Sequence, residues 1–184
     1  MKEISLHILD IVQNSIAAKA DSITVKIVED LTTDTLVIEI IDNGSGMDKE
    51  LAERIKDPFT TGRKTRRVGL GVPLLYDACT RCDGNLKIQS ERGKGTTVIA
   101  WFKHSHIDRA PLGNMIETIL TIVMGNPEID FIYIHNYNSK EFRFDTREIK
   151  QALGEVSINE PQVLSWIKGF LEEGFNSLSG GAEK

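Results

Sequence analysis

The sequence predicts a two-layer α/β sandwich: a mixed or antiparallel sheet with helices on one face, followed by a small C-terminal α/β appendage. Two observations carry the prediction. The order of elements is helix, two strands, helix, loop, helix, two strands, and the strands within each pair are joined by turns short enough to force antiparallel pairing. The order is also not an alternating parallel βαβ chain, so the glycine-bearing loop after the second strand is not of the Rossmann kind.

Each element has a local reason. Over residues 5–20, Leu6, Leu9, Ile11, Val12, Ile16, Ala17 and Ala20 recur at helical spacing, with Glu3 near the positive end and Asp21-Ser22 closing the helix. Residues 23–28 alternate as a strand, 31–35 form a turn, and 36–41 are a β-branched strand. Residues 48–55 read as a short helix capped by Asp48, 57–68 as a basic, aperiodic loop, and 69–82 as an amphipathic helix. Asp83-Gly84 turns the chain into strands 85–90 and 96–102. A boundary near residues 104–111 divides the chain into 1–104 and 105–184. Beyond it come a helix over 112–124, whose wide apolar face reads as core, and a hairpin of 131–135 with 141–144. Asp145 or Thr146 can cap a helix to Leu153, residues 160–169 form another with Pro161 in its first turn, and 177–184 are a loose tail.

Composition narrows the function. A chain of 184 residues with 40% hydrophobic and 27% charged content has enough apolar surface for a core. The net charge of −5 argues against nucleic acid as the partner. No apolar run approaches the roughly 18 residues of a membrane span, and the amino terminus lacks a leader pattern. The two cysteines, Cys79 and Cys82, form no disulfide framework, so a cytoplasmic protein is expected. Their spacing supplies half of a zinc site. On a helix against a sheet they read as core residues, with a four-cysteine site across a dimer as the other reading. His104 and His106 have period-two metal spacing, but read as incidental residues of a boundary segment.

Four segments carry chemistry. Asp10 and Asn14 share a helix face, where an amide oxygen suits a hard cation and a carboxylate a base; a solvated polar face is the competing reading. Asp42-Asn43-Gly44-Ser45-Gly46 ends the second strand. Its acceptor-only carboxylate can take an exocyclic amino group, and its two glycines permit close backbone approach; otherwise it is only a turn. Arg63, Lys64, Arg66 and Arg67 place four cations within five positions, just before Gly69-Leu70-Gly71 opens a helix whose N–H groups favour an anion. Alone, that run would read as a solvated charge cluster. Gly93-Lys94-Gly95-Thr96 is a hairpin turn with a hydroxyl near Asp42.

In this order these segments resemble the GHKL superfamily of gyrase-type topoisomerases, heat-shock chaperones, histidine kinases and mismatch-repair ATPases. Asp10-x-x-x-Asn14 matches its N box, Asp42-x-Gly44-x-Gly46 its first glycine motif, and Phe59-Thr60-Thr61 its lid entrance. Gly69-x-Gly71 and Gly93-x-Gly95-Thr96 match the remaining two motifs. The resemblance covers residues 1 to about 104 and implies a Bergerat-type fold binding ATP with magnesium. Carried over by position, Asn14 would hold magnesium, Asp42 would bind adenine with Thr96 supporting it through water, and Gly69, Leu70 and Gly71 would meet the phosphates. Thr60, Thr61, Arg63 and Lys64 would belong to the lid, with a cation at 63 or 64 neutralising phosphate. Asp10 stands where hydrolysing members carry Glu and many histidine kinases an amide. It keeps the charge on a side chain one methylene shorter, which makes it the candidate catalytic base.

The helix bearing Asp10 begins near residue 4, which leaves no room before it for the dimerising hairpin and phospho-acceptor histidine of a sensor kinase. His7 reads as a packing residue. The expected function is therefore binding of ATP or ADP with hydrolysis, or transfer of the γ-phosphate, to regulate a protein partner, with a homodimer left open. The alternative is a nucleotide-sensing module without turnover, or an accessory protein of a redox enzyme complex by association of family type.

Overall fold

The computed structural model describes residues 2–55 and 70–178. Helix α1 (Ile4–Ala17) leads into β1 (Ser22–Asp30) and β2 (Thr35–Asp42); then come the short α2 (Lys49–Arg54), α3 (Gly71–Thr80), β3 (Asn85–Glu91) and β4 (Gly95–Lys103). The C-terminal segment adds α4 (Met115–Gly125), β5 (Asp130–Tyr137), β6 (Lys140–Asp145), α5 (Thr146–Leu153) and α6 (Pro161–Leu178).

The strands form one six-stranded mixed sheet in the order β3-β4-β2-β1-β5-β6. All neighbours are antiparallel except β1 and β5, which run parallel with Val25 opposite Tyr133. The C-terminal hairpin thus continues the sheet of the N-terminal segment rather than building its own. Period-two burial sets the layers. Ile23, Val25 and Ile27 of β1, Leu36, Ile38 and Ile40 of β2, and Ala100 and Phe102 of β4 are buried on one face. The alternate positions are more open, as at Ile41. Ile8 and Ile11 of α1, Leu75 of α3, Ile119 of α4 and Leu171 of α6 join these strands in one apolar cluster.

Caps fall where short polar side chains stand. Asp48 accepts from Leu51 N at 2.9 Å, Asn114 from Glu117 N at 3.0 Å and Asp145 from Arg147 N at 3.0 Å. Three expectations shift. The first helix ends at Ala17 rather than Ala20, because Lys19 turns into the left-handed region at φ 62°. The fourth helix starts at Met115 rather than Leu112, with Asn114 as its cap. The last helix runs to Leu178, past both Gly169 and the expected tail start at 177. Its Gly174 is a packing residue: a Cβ there would lie 2.0 Å from Phe142 Cε2, so the ring of β6 occupies the missing side chain's place. The remainder of the expected tail, 179–184, lies outside the described residues.

Cys79 and Cys82 are core residues, both buried, and burial pushes the Cys79 thiol up to about 12. Among the described residues no group of three His, Cys, Asp or Glu side chains could hold a metal ion. His104 and His106 do not act as a pair. His104 Nε2 meets Glu29 Oε2 at 2.8 Å, while His106 faces Asp83. Glu29 also meets His135 Nε2 through its other oxygen at 2.8 Å, and His135 Nδ1 lies 3.0 Å from Tyr133 Oη. This partly buried chain joins β1, the residue after β4, and β5. No described helix is long and apolar enough to cross a membrane.

Candidate functional site

The end of β2 is the organising point. Asp42 is its last residue, buried, and both carboxylate oxygens are engaged. Oδ1 accepts from Gly44 N at 2.9 Å and Thr96 N at 3.2 Å, and Oδ2 accepts from Ser15 Oγ at 2.7 Å. Thr96 stands opposite Asp42 in the β2–β4 register, which is why a residue 54 positions away reaches it. Ser15 projects from α1 one residue after Asn14. The carboxylate is thus held in one orientation from three elements, with lone pairs to spare.

The loop that follows is tied down on both sides. Asn43 Oδ1 accepts from Asp21 N and Ser22 N, both at 3.0 Å, and Ser45 N donates to Ala18 O at 2.8 Å. Met47 N donates to Ser90 Oγ at 2.8 Å. Gly46 and Gly95 are needed for this stitching. Both have positive φ, 62° and 101°, and a Cβ on either would lie about 2 Å from a backbone oxygen, of Glu91 and Asp42 respectively. The close approach at these glycines is therefore backbone against backbone.

Between α1, this loop, α3 and the β3–β4 face lies a hollow of about 210 Å³. Asp42, Asn14 and Thr96 supply polar groups; Met47, Ile88 and Val98 supply apolar walls. A flat, mostly apolar ring with an amino edge matches that lining. The other end of the site is where α3 begins. A Cβ on Gly71 would lie 2.9 Å from Asp10 Cβ, 3.6 Å from Asp10 Oδ2 and 3.7 Å from Asn14 Nδ2. Only glycine lets the amino terminus of α3 come this close to the two polar residues of α1. Asp10 and Asn14 are half-buried, and their side chains make no hydrogen bond among the described residues. Leu70, just before the helix, is 59% exposed.

The structure therefore brings Asp42, Gly44, Gly46 and Thr96 together at one end, Asp10, Leu70 and Gly71 at the other, and Asn14 between them. Thr60, Thr61, Arg63, Lys64 and Gly69 lie outside the described residues. Sequence reasoning missed Ser15, Ser90 and the tether formed by Asn43. Ser15 left one signal, a hydroxyl on a helix face otherwise given to Ile and Val. His7, one turn before Asp10, is buried; desolvation holds its imidazole below the ordinary value, with Asp10 opposing this. Its Nδ1 has no partner among the described residues.

The family described as histidine kinase-, DNA gyrase B-, and HSP90-like ATPase matches residues 2–106. Sporulation kinase C of Bacillus subtilis is 36% identical over 88 residues, 48% of this chain and 20% of that protein. Sporulation kinase E of the same organism is 32% identical over 97 residues, 52% of this chain and 13% of that protein. The aligned part is thus a small fraction of either relative. Among solved structures, the N-terminal domain of a DNA repair protein superposes with a TM-score of 0.52 at 19% identity. It covers 79% of this chain and 52% of that one, a likeness of fold alone.

Proposed function

Because the chain belongs to the histidine kinase-, DNA gyrase B- and HSP90-like ATPase family, with residues 2–106 as its ATP-binding domain, we propose that it uses ATP: it hydrolyses it, or passes its γ-phosphate to a protein partner that it regulates. The observation that carries this is the contact of Gly71 with Asp10 and Asn14. It sets a carboxylate and an amide against the start of α3, where backbone N–H groups favour phosphate. In this reading Asp42 accepts from the adenine amino group, and Thr96 supports it through water. The family resemblance would give the phosphates to Gly69, Leu70 and Gly71, the phosphate-neutralising cation to Arg63 or Lys64, and the lid entrance to Thr60 and Thr61. Asn14, whose side chain has no other hydrogen bond among the described residues, would hold magnesium, which neutralises phosphate charge when bound.

Asp10 is the base. It takes a proton from water as the oxygen attacks the γ-phosphorus; the bond to the β-phosphate oxygen breaks, and ADP leaves with that electron pair. Where a protein hydroxyl or imidazole replaces water, the same site is a kinase, as in the names of the two sporulation kinases. Residues 105–184 face the partner, and a reducing cytoplasm suits two buried free thiols. The test is magnesium-dependent release of labelled phosphate from γ-labelled ATP by the purified chain, followed by incubation with a lysate and pull-down to reveal label transferred to a partner. Asp10→Asn should bind ATP as the parent does and release no product; undiminished turnover would remove the assignment of the base.

A further inference from the structure

Helix α6 keeps few residues inside: Ile167, Leu171 and Leu178 are buried, while Trp166 is 57% and Phe170 37% exposed. The two rings stack, centroids 5.6 Å apart and planes 15° from parallel, so they form one flat apolar plate. Beside Trp166 a groove of about 350 Å³ runs between α5 and α6, walled by Ile149, Ala152, Leu153 and Val163, with Gln162 as a polar lining residue. Through Gln162 and Val163 it continues into a second hollow that carries Glu155, Val156 and Glu160. Val156 is 53% exposed. An open apolar surface of this kind, centred on a tryptophan, has the anatomy of a binding hot spot.

Charge indicates what covers it. The neighbouring cations are already engaged: Arg143 and Arg147 with Asp145, Lys150 with Asp130, and Lys168 with Glu117. Glu155 and Glu160 are exposed and have no cationic partner among the described residues. An apolar groove ending in two uncompensated carboxylates favours an apolar anchor followed by Lys or Arg, and repels an acidic segment. A second copy docked face to face would bring the same carboxylates into the contact, where every neighbouring cation among the described residues is already engaged.

We propose that the α5–α6 groove docks a basic amphipathic helix of a partner protein, with Trp166 as the anchor. This names the partner chemistry for the reading of residues 105–184 as the partner-facing segment, and rests on that reading. The test measures anisotropy of three labelled synthetic peptides with the full chain. One has a leucine face flanked by Lys and Arg, one has the same face flanked by Glu, and one is a scramble of the first. The first should bind, and the others about tenfold or more weaker. Trp166→Ser should weaken it about tenfold, and Glu155→Gln with Glu160→Gln several-fold. Ala152→Arg, on an exposed wall, gives a second variant if Trp166→Ser fails to fold. Equal binding of the scramble or the acidic peptide, no binding, insensitivity to these substitutions, or Trp166-dependent self-association would overturn the proposal. ATP affinity, measured in parallel, should not change; its loss in the parent would instead overturn the nucleotide reading.

Discussion

Ser15 donates a 2.7 Å hydrogen bond to Asp42 across 27 positions of sequence, and this bond fixes the carboxylate at the end of β2. Ser15→Ala leaves one carboxylate oxygen without its protein donor in a buried place. A hydrogen bond to a charged group contributes about 1.5–3 kcal/mol to folding, so Tm should fall by several degrees, and ATP should bind more weakly because the acceptor carboxylate has lost one of its three positioning donors. Calorimetric titration of the variant checks this, and an unchanged Kd would remove Ser15 from the site.

Gly95 holds the β4 end of the same arrangement. Gly95→Ala combines left-handed backbone with a Cβ 1.9 Å from Asp42 O. Left-handed strain alone costs about 1–3 kcal/mol, so Tm should fall by several degrees and ATP binding with it. Gly93, at φ 77° with no atom within 4 Å, is the control: Gly93→Asn should cost much less in the same thermal melts.

Glu29 is the acid-sensitive element. Burial raises its pKa, but hydrogen bonds from His135 and His104, and their charges, outweigh this, so it lies below its ordinary value of 4.5. A lowered carboxylate contributes stability that is present above the unfolded value and lost as pH falls through the folded one. Parent and Glu29→Gln should therefore differ in Tm at pH 7, and the difference should shrink progressively as pH falls below 4.5. A constant difference across that range would contradict the pairing.

Much of this fold is legible in local pattern, because period-two runs and capping residues act over a few positions. Asp48 and Asp145 cap where a short acid precedes an apolar helix face. The parallel pairing of β1 with β5 is not legible. It joins residues more than a hundred positions apart, and nothing within either strand specifies its neighbour. Glu29, His104 and His135 are distant for the same reason, so their chain has no motif. The expected helix stops at Gly169, yet α6 runs on through Gly174, where the ring of Phe142 occupies the missing side chain's place. The segments of the candidate site were easier to single out, since Asp42 through Gly46 and Asp10 with Asn14 each lie within one turn or loop. Ser15 was missed because its role depends on the register of an element that the sequence does not position.

The thiols test the core. With the Cys79 thiol pushed up to about 12 and Cys82 raised as well, neither should react with a disulfide reagent at pH 8 in the folded chain. Both should react on unfolding in guanidinium. Rapid labelling of the native chain would contradict their placement.

The most direct test of the account is calorimetric titration of ATP with magnesium into the parent chain and Asp42→Asn, with circular dichroism to confirm that both are folded. The account predicts one ATP per parent chain and at least a tenfold loss in the variant, because an amide in place of the carboxylate weakens the acceptor for the adenine amino group. No binding by the folded parent, or equal binding by both proteins, would contradict it.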